Sequence, residues 1–375
     1  MSTMKIVSIV GARPQFVKAA TVSRALARTA SIREVLVHTG QHYDTNMSGV
    51  FFDELGIPKP SYNLGIGSAG QGAQTGRMLE AIENVLIEER PDWVLVYGDT
   101  NSTIAGALAA AKLHISVAHV EAGLRSFNRR MPEEVNRVVT DHLSDLLFAP
   151  TTTAVKNLAH EGIDAAKVAM VGDVMYDTAL HFRERALSQS RIRDLLDLSE
   201  GQYVLATIHR AENTDEPARL RAIIGAIAQV SKDRRVVLPV HPRTRNAIRN
   251  AGLSLPDTLH LIEPVSYLDM VMLECGAELI VTDSGGVQKE AYFFRVPCLT
   301  LRNETEWVEL VQCGWNRLLA PTDEAAVAEG IRTALRAGRP DTWLASLYGD
   351  GAAADAIASC LLARGILRSE GRLNP

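Results

Sequence analysis

Short β-branched runs alternate along this chain with stretches of helical spacing. KIVSIV, EVLVHTG, WVLVYGD, ISVAHVEA, KVAMVGDV, YVLATIHR, RVVLPVH, LHLIEP, ELIVTDS and VPCLTL read as strands. They are continuously apolar rather than alternating, which marks strands of parallel sheets covered on both faces. Between most of them lie helical patterns such as QFVKAATVSRALA, STIAGALAAAKL and ARLRAIIGAIAQVSK. Strand–helix alternation of this kind predicts an α/β fold. Ten strands are many for one open sheet, so two sheets in two domains are expected. The boundary is placed after VGDVMYD, giving Rossmann-like domains over 1–177 and 178–352. The last stretch, 353–375, is expected to be a closing helix that completes the first domain.

Composition narrows the class. The chain has 375 residues, 46% hydrophobic and 22% charged, as expected of a soluble globular protein. No apolar run approaches the roughly 20 residues that span a bilayer. The start, MSTMKIVSIVGARP, lacks a basic segment and a small-residue cleavage site, so it reads as a first buried strand rather than a signal peptide. A cytoplasmic protein without a membrane partner is expected. The net charge of −5 gives no reason to expect nucleic acid. Cys275, Cys298, Cys313 and Cys360 form no CxxC pair, which removes support for zinc or a thioredoxin-like motif.

Parallel α/β sheets bind ligands beyond the carboxyl ends of their strands. The residues at those ends are therefore informative. Arg13 and Lys18 come after the first strand, TGQHYD after the second, Asp99 after the run WVLVY, and Glu121 after the run ISVAHV. His209, Arg210 and Glu212 come after YVLAT, while His241, Arg243 and Arg245 come after VVLPV. Ser284, Gly285, Gly286 and Glu290 come after ELIVT, and Arg302, Glu304 and Glu306 after CLTL. Each has a plain reading taken alone: Asp99 or Thr100 as a helix cap, Gly11 as a turn, Glu134 and Arg137 as an exposed helical pair. Glu133 favours the positive end of the helix that Pro132 opens. Random surface charge has no reason to choose strand ends, and the clustering points to a ligand site.

The segment DSGGVQKEA carries a mechanism. Ser-Gly-Gly opens a helix after a strand, so backbone N–H groups and the helix dipole attract a phosphate. Glu290, four residues after Gly286, faces the same side and suits ribose hydroxyls. The chain lacks GxGxxG after its first strand and lacks GxxxxGK[ST]. A nucleoside diphosphate fits better than NAD or ATP.

The blocks GARPQFVKAA, HTGQHYD, YGDTNSTIAG, HVEAGLRS, MPEEVNR, LFAPT, VGDVMYD, TIHRAEN, PVHPRTR, TDSGGVQKEA and YGDGAA together resemble the non-hydrolysing UDP-N-acetylglucosamine 2-epimerase family. The resemblance implies a GT-B-like fold, two Rossmann-like domains with parallel sheets facing an interdomain cleft, in a homodimer. It implies reversible C2 epimerisation of a UDP-sugar with no cofactor and no metal. It further implies a catalytic set of Asp99, Glu121, Glu133 and His209. Arg13, Lys18, Arg210, Ser284, Gly285, Gly286 and Glu290 become substrate- and UDP-binding residues by the same resemblance, with the sugar on the first domain and UDP on the second. Several positions depart from the family pattern: Gln15 replaces a usual glutamate, Ala211 changes HRREN to HRAEN, and Trp307 changes TERPE to TEWVE. Ala73-Gln74 stands where many bacterial members carry an Arg-Gln pair for an activating second substrate. QKEA with TEWVE resembles the subgroup acting on UDP-2,3-diacetamido-2,3-dideoxyglucuronate. In that case Arg125, Arg129 and Arg130 gain a reason as partners of a substrate carboxylate.

The chemistry implied is an elimination. The C2 proton is not next to a carbonyl, so it leaves together with UDP to give a 2-acetamidoglucal, and UDP adds back after reprotonation. Carboxylates near one another are expected to divide into acid and base. Three rivals stand beside this reading: a GT-B glycosyltransferase, a hydrolysing epimerase that releases free sugar, and a nucleotide-sugar-binding protein without catalysis.

Overall fold

The computed structural model describes residues 3–41 and 56–369, so His42, Tyr43 and Asp44 of the TGQHYD block lie outside the described residues. The chain divides into two compact units, Met1–Thr178 with Ala345–Pro375, and Ala179–Leu344. The division falls inside one helix, Val174–Gln189.

The first unit holds a seven-stranded sheet. Its strands are β1 (Met4–Val10), β2 (Ile32–His38), β3 (Tyr62–Asn63), β4 (Trp93–Tyr97), β5 (Ser116–Val120), β6 (Leu146–Ala149) and β7 (Val168–Met170). Their order is β3-β2-β1-β4-β5-β6-β7 and every pair is parallel. The chain order reverses between β1 and β4, which makes that pair the topological switch point. The helix Ala353–Ser369 belongs to this unit, and its start is held by Asp177, whose carboxylate accepts from Ala354 N at 2.8 Å. Arg28, at the end of the helix Arg13–Arg28, pairs with Asp355.

The second unit repeats the plan with six strands: β8 (Tyr203–Thr207), β9 (Arg235–Pro239), β10 (Leu259–Ile262), β11 (Leu279–Thr282), β12 (Cys298–Thr300) and β13 (Asn316–Leu318). The order is β10-β9-β8-β11-β12-β13, again all parallel, with the switch point between β8 and β11. Burial explains the continuous apolar runs. Val204, Ala206, Val236, Leu238, Leu279 and Val281 pack into one core, and Tyr203, Leu205, Val237 and Ile280 into another. Neighbouring residues of one strand thus enter cores on opposite faces, at about 1.5–3 kcal/mol for each large side chain buried.

Three strands escape the sequence pattern. β3 has two residues, β13 reads Asn-Arg-Leu, and β6 is Leu-Leu-Phe-Ala without a β-branched residue. Their pairing comes from the neighbouring strand rather than from local preference.

Candidate active site

At the first switch point, Gly11 and Ala12 follow β1 and the helix Arg13–Arg28 begins. A Cβ on Gly11 would lie 2.1 Å from the hydroxyls of both Thr39 and Ser102, so only glycine fits this approach. Gln15 closes the helix start. Its Oε1 accepts from Gly11 N at 2.8 Å and Ala12 N at 3.0 Å, while its Nε2 donates to Tyr97 O at 2.9 Å and Thr103 Oγ1 at 3.0 Å. A glutamate could not make the last two bonds as an ionised group. Arg13 stands half-buried at the first helical position. Lys18 reaches out of the same helix to form a buried ion pair with Glu121.

Glu121 lies just past β5 in a left-handed conformation, φ 73°, which costs a non-glycine residue roughly 1–3 kcal/mol. The N–H groups of Glu121 and Ala122 both donate to Phe148 O, each at 3.1 Å, and hold the turn. On the neighbouring strand end, Asp99 pairs with Arg137, and its carbonyl accepts from Asn136 Nδ2 at 2.9 Å. Both partners lie on the helix Pro132–Leu143.

Glu134 and Arg137 are not an exposed pair. Both are buried, 2.8 Å apart, because Glu134 also accepts from Ser126 N, Ser126 Oγ and Phe127 N at 2.9 to 3.0 Å. The carboxylate therefore pins the loop before its own helix. Glu133, one residue earlier, is half-exposed and makes no hydrogen bond or ion pair with the described residues. Asp99 and Glu121 each hold a cation.

Arg125 is likewise no solvated loop residue. It is 3% exposed and donates to Glu161 through Nε at 2.7 Å and NH2 at 2.6 Å, with NH1 2.7 Å from Asp141. It is therefore committed inside the protein, whereas Arg129 and Arg130 are exposed. Gln74 is also committed: it accepts from Asn101 at 2.8 Å and donates to Gly67 O at 3.0 Å.

At the second switch point the organiser is Asp283, which the strand-end pattern does not single out. It is fully buried and accepts from His209 N at 3.1 Å, Arg210 N at 3.0 Å and Asn213 Nδ2 at 3.0 Å. The loop after β8 is thus tied to the end of β11. His209 projects outward, its ring 54% exposed with Nδ1 3.3 Å from Asp283. Arg210 lies 3.8 Å from Glu212. Ser284 caps the helix Gly285–Phe293 by accepting from Val287 N. The N–H groups of Gly285 and Gly286 have no acceptor among the described residues. Glu290 lies further along this helix, its Oε1 accepting from Tyr267 at 3.0 Å. Trp307 is buried beside the glycines, its Nε1 3.9 Å from where a Gly285 Cβ would sit, and Lys289 lies 4.0 Å from its ring centre. Arg302 is clamped by Glu306 through two bonds of 3.0 Å. Burial on its own would push the Arg302 pKa down, and Glu306, Glu212 and Glu304 together outweigh that and hold the guanidinium above the usual arginine range.

In the first unit Lys18 meets Glu121 and Arg137 meets Asp99, while Arg13 and Glu133 stand in the first turns of their helices; in the second, His209 and Arg210 follow β8, Ser284, Gly285 and Gly286 follow β11, and Glu290 lies within the helix behind them. The supporting residues Arg137, Asp141 and His119 stand outside the strand-end pattern. A signal existed, since Glu134, Arg137 and Asp141 recur at helical spacing on one face of their helix. Among the described residues no group of three His, Cys, Asp or Glu is arranged to hold a metal, and no helix is long and apolar enough to cross a membrane.

Residues 24–362 match the family model described as UDP-N-acetylglucosamine 2-epimerase. A Pseudomonas aeruginosa protein named UDP-2,3-diacetamido-2,3-dideoxy-D-glucuronate 2-epimerase is 53% identical over 361 residues, 96% of this chain and 99% of that one. A Methanococcus maripaludis protein named as a UDP-N-acetylglucosamine 2-epimerase homolog is 56% identical over 326 residues, 86% and 90% of the two chains. The crystal structure of the Methanocaldococcus jannaschii UDP-GlcNAc 2-epimerase, in complex with UDP-GlcNAc and UDP, superposes with a TM-score of 0.89 at 43% identity, covering 96% of this chain and 100% of that one. Two Rossmann-like units with all-parallel sheets give a GT-B-like fold, and the chain belongs to the UDP-N-acetylglucosamine 2-epimerase family.

Proposed function

We propose that this protein reversibly inverts C2 of a UDP-N-acetylhexosamine, converting UDP-GlcNAc to UDP-ManNAc without hydrolysis. The observation that carries the reading is the pair of adjacent strand ends, β4 and β5, presenting Asp99 and Glu121 already held by Arg137 and Lys18. In the forward elimination a carboxylate takes the C2 proton, the C2–H electrons form the C1=C2 bond, and the C1–O bond breaks with its electrons leaving on UDP. In the return step a proton reaches C2 from the other face and a diphosphate oxygen re-forms the bond to C1. Asp99, Glu121 and Glu133 serve the proton transfers, and half-exposed Glu133 is the most readily repositioned of the three. Arg13 and Lys18 add positive charge to the first rim. His209 and Arg210 meet the charge that develops on the diphosphate. Gly285 and Gly286 offer backbone N–H groups to the phosphates, Ser284 sets the helix start, and Glu290 takes the ribose.

The test is to label the oxygen bridging C1 and the β-phosphorus and to recover the substrate after partial reaction. Scrambling of label into the non-bridging positions is expected, with no free sugar and no acceptor-bound product. Inversion at C2 with the label still bridging would contradict elimination. Free N-acetylmannosamine would favour the hydrolysing reaction instead.

A second reading keeps the reaction and changes the sugar to the diacetamido uronate, favoured by the 53% identical relative. Arg125 is unavailable to the extra carboxylate, which leaves exposed Arg129 and Arg130. Replacing both should then harm uronate turnover more than UDP-GlcNAc turnover, and equal losses would remove them. Completing the proposal, the enzyme works as a cytoplasmic homodimer whose product feeds surface polysaccharide; sedimentation at micromolar concentration tests the dimer.

A further inference from the structure

His119 lies on β5, two residues before Glu121, and is fully buried. Its Nδ1 is 2.7 Å from Asp141 Oδ1 and its Nε2 is 2.7 Å from Gly98 O. A backbone carbonyl only accepts, so Nε2 carries a hydrogen. Asp141 faces three donors: His119, Gly123 N at 3.1 Å and Arg125 NH1 at 2.7 Å. Burial on its own raises the Asp141 carboxyl, but His119 and Arg125 outweigh it and hold the group below the usual carboxylate range. The ring is thus held at both nitrogens inside the sheet, by the Gly98 carbonyl and by Asp141, which shares Arg125 with Glu161.

We propose that His119 is a positioning residue, a buried ring that bridges the Gly98 carbonyl and the Asp141 carboxylate and so fixes the Gly98–Asp99 turn against the end of β5. The turn needs such a hold. Gly98 has φ 62°, donates to Val120 O at 3.0 Å, and leaves Lys18 Nζ only 3.0 Å from where a Cβ would stand. His119 grips the other side of the same residue through its carbonyl. Asp141 joins this grip to the helix Pro132–Leu143, whose Arg137 holds the Asp99 carboxylate. Asp141 also fixes Gly123 N, two residues after Glu121. The His119–Asp141 contact therefore ties the turn before Asp99, the turn after Glu121 and the helix that carries Arg137 to one another.

The inference deepens the C2-epimerase reading and rests on it, so its test has two arms. The first needs no turnover: nitrogen NMR of the full-length protein with ring-labelled histidine, His119 being assigned by difference with His119→Gln. Both ring nitrogens in hydrogen bonds, with the Nδ1 bond lost in Asp141→Asn, is the expected result, and a ring nitrogen without a hydrogen bond in wild type would overturn the proposal. The second compares folded His119→Gln and Asp141→Asn with wild type. Each should lose about 10- to 100-fold in kcat, the scale of a displaced catalytic group, with KM and UDP affinity changed by less than about twofold. Wild-type kcat in either folded variant would overturn the positioning role. If His119→Gln does not fold, Asp141→Asn and the wild-type ring spectrum still decide. A wild type that never exchanges the C2 proton sinks the epimerase reading, while the ring nitrogens still report on the His119 hydrogen bonds.

Discussion

The two switch points share a topology and differ in what they leave open. Beyond β1 and β4, Gln15 takes the N–H groups of Gly11 and Ala12, and Arg137 and Lys18 hold the carboxylates of Asp99 and Glu121. Beyond β8 and β11 the side chains stand back, with Asp283 tying the loops together, while the N–H groups of Gly285 and Gly286 are left for a ligand. The first rim suits proton transfer, which needs atoms fixed in place. The second suits an anion, which needs a positive helix start. The two helix starts differ in kind: Gln15 fills the N–H groups ahead of the first helix and Pro14 offers none, while Gly285 and Gly286 keep theirs.

The largest effect should come from breaking the first rim. Glu121→Gln or Asp99→Asn should lower kcat by roughly 100-fold or more. UDP affinity, measured by calorimetry, should stay unchanged. Equal loss of UDP binding would mean that the division between the rims is wrong.

Asp177 alters the first unit without touching either rim. Burial pushes its carboxyl up from 3.8 to about 6, against the pull of the Ala354 and Ala353 N–H groups. Because the folded value lies above the unfolded one, the associated stability is complete below about pH 4 and lost as pH rises through about 6. Asp177→Asn should therefore gain on wild type with rising pH, reaching about 3 kcal/mol near neutrality. Thermal melts across that range check the sign; a constant difference would contradict it.

Gln15→Glu sharpens the comparison from the other side. It removes the donor to Tyr97 O and Thr103 Oγ1. A cost of about 1–3 kcal/mol is expected for the lost hydrogen bonds and for a carboxylate set against the Tyr97 carbonyl, read from denaturant midpoints. The smallest effect should come from the second rim: Glu290→Ala should raise KM about tenfold, or about 1.4 kcal/mol, with kcat within about threefold. A kcat loss as large as that of Glu121→Gln would erase the distinction.

The architecture was legible because strands buried on both faces leave continuous apolar runs that no exposed segment imitates. β3, β6 and β13 were not, since two to four residues carry too little pattern and borrow their extended shape from a neighbour. At the site, residues directly after strands could be read, because chain direction alone puts them at the carboxyl rim. Their partners could not. Arg125 and Arg129 look alike in LRSFNRR, yet one is buried against Asp141 and Glu161 and the other is exposed. Only the helix packed across the loop decides that. Glu134 and Arg137 were misread for the same reason: their spacing shows which helix face they share, and the sheet decides whether that face is buried.

Proton NMR of the wild-type protein with UDP-GlcNAc in heavy water, repeated with the diacetamido uronate nucleotide, tests the central claim most directly. The account predicts loss of the C2 proton signal together with appearance of the C2-inverted UDP-sugar for one of the two substrates. An intact C2 proton in both would contradict it.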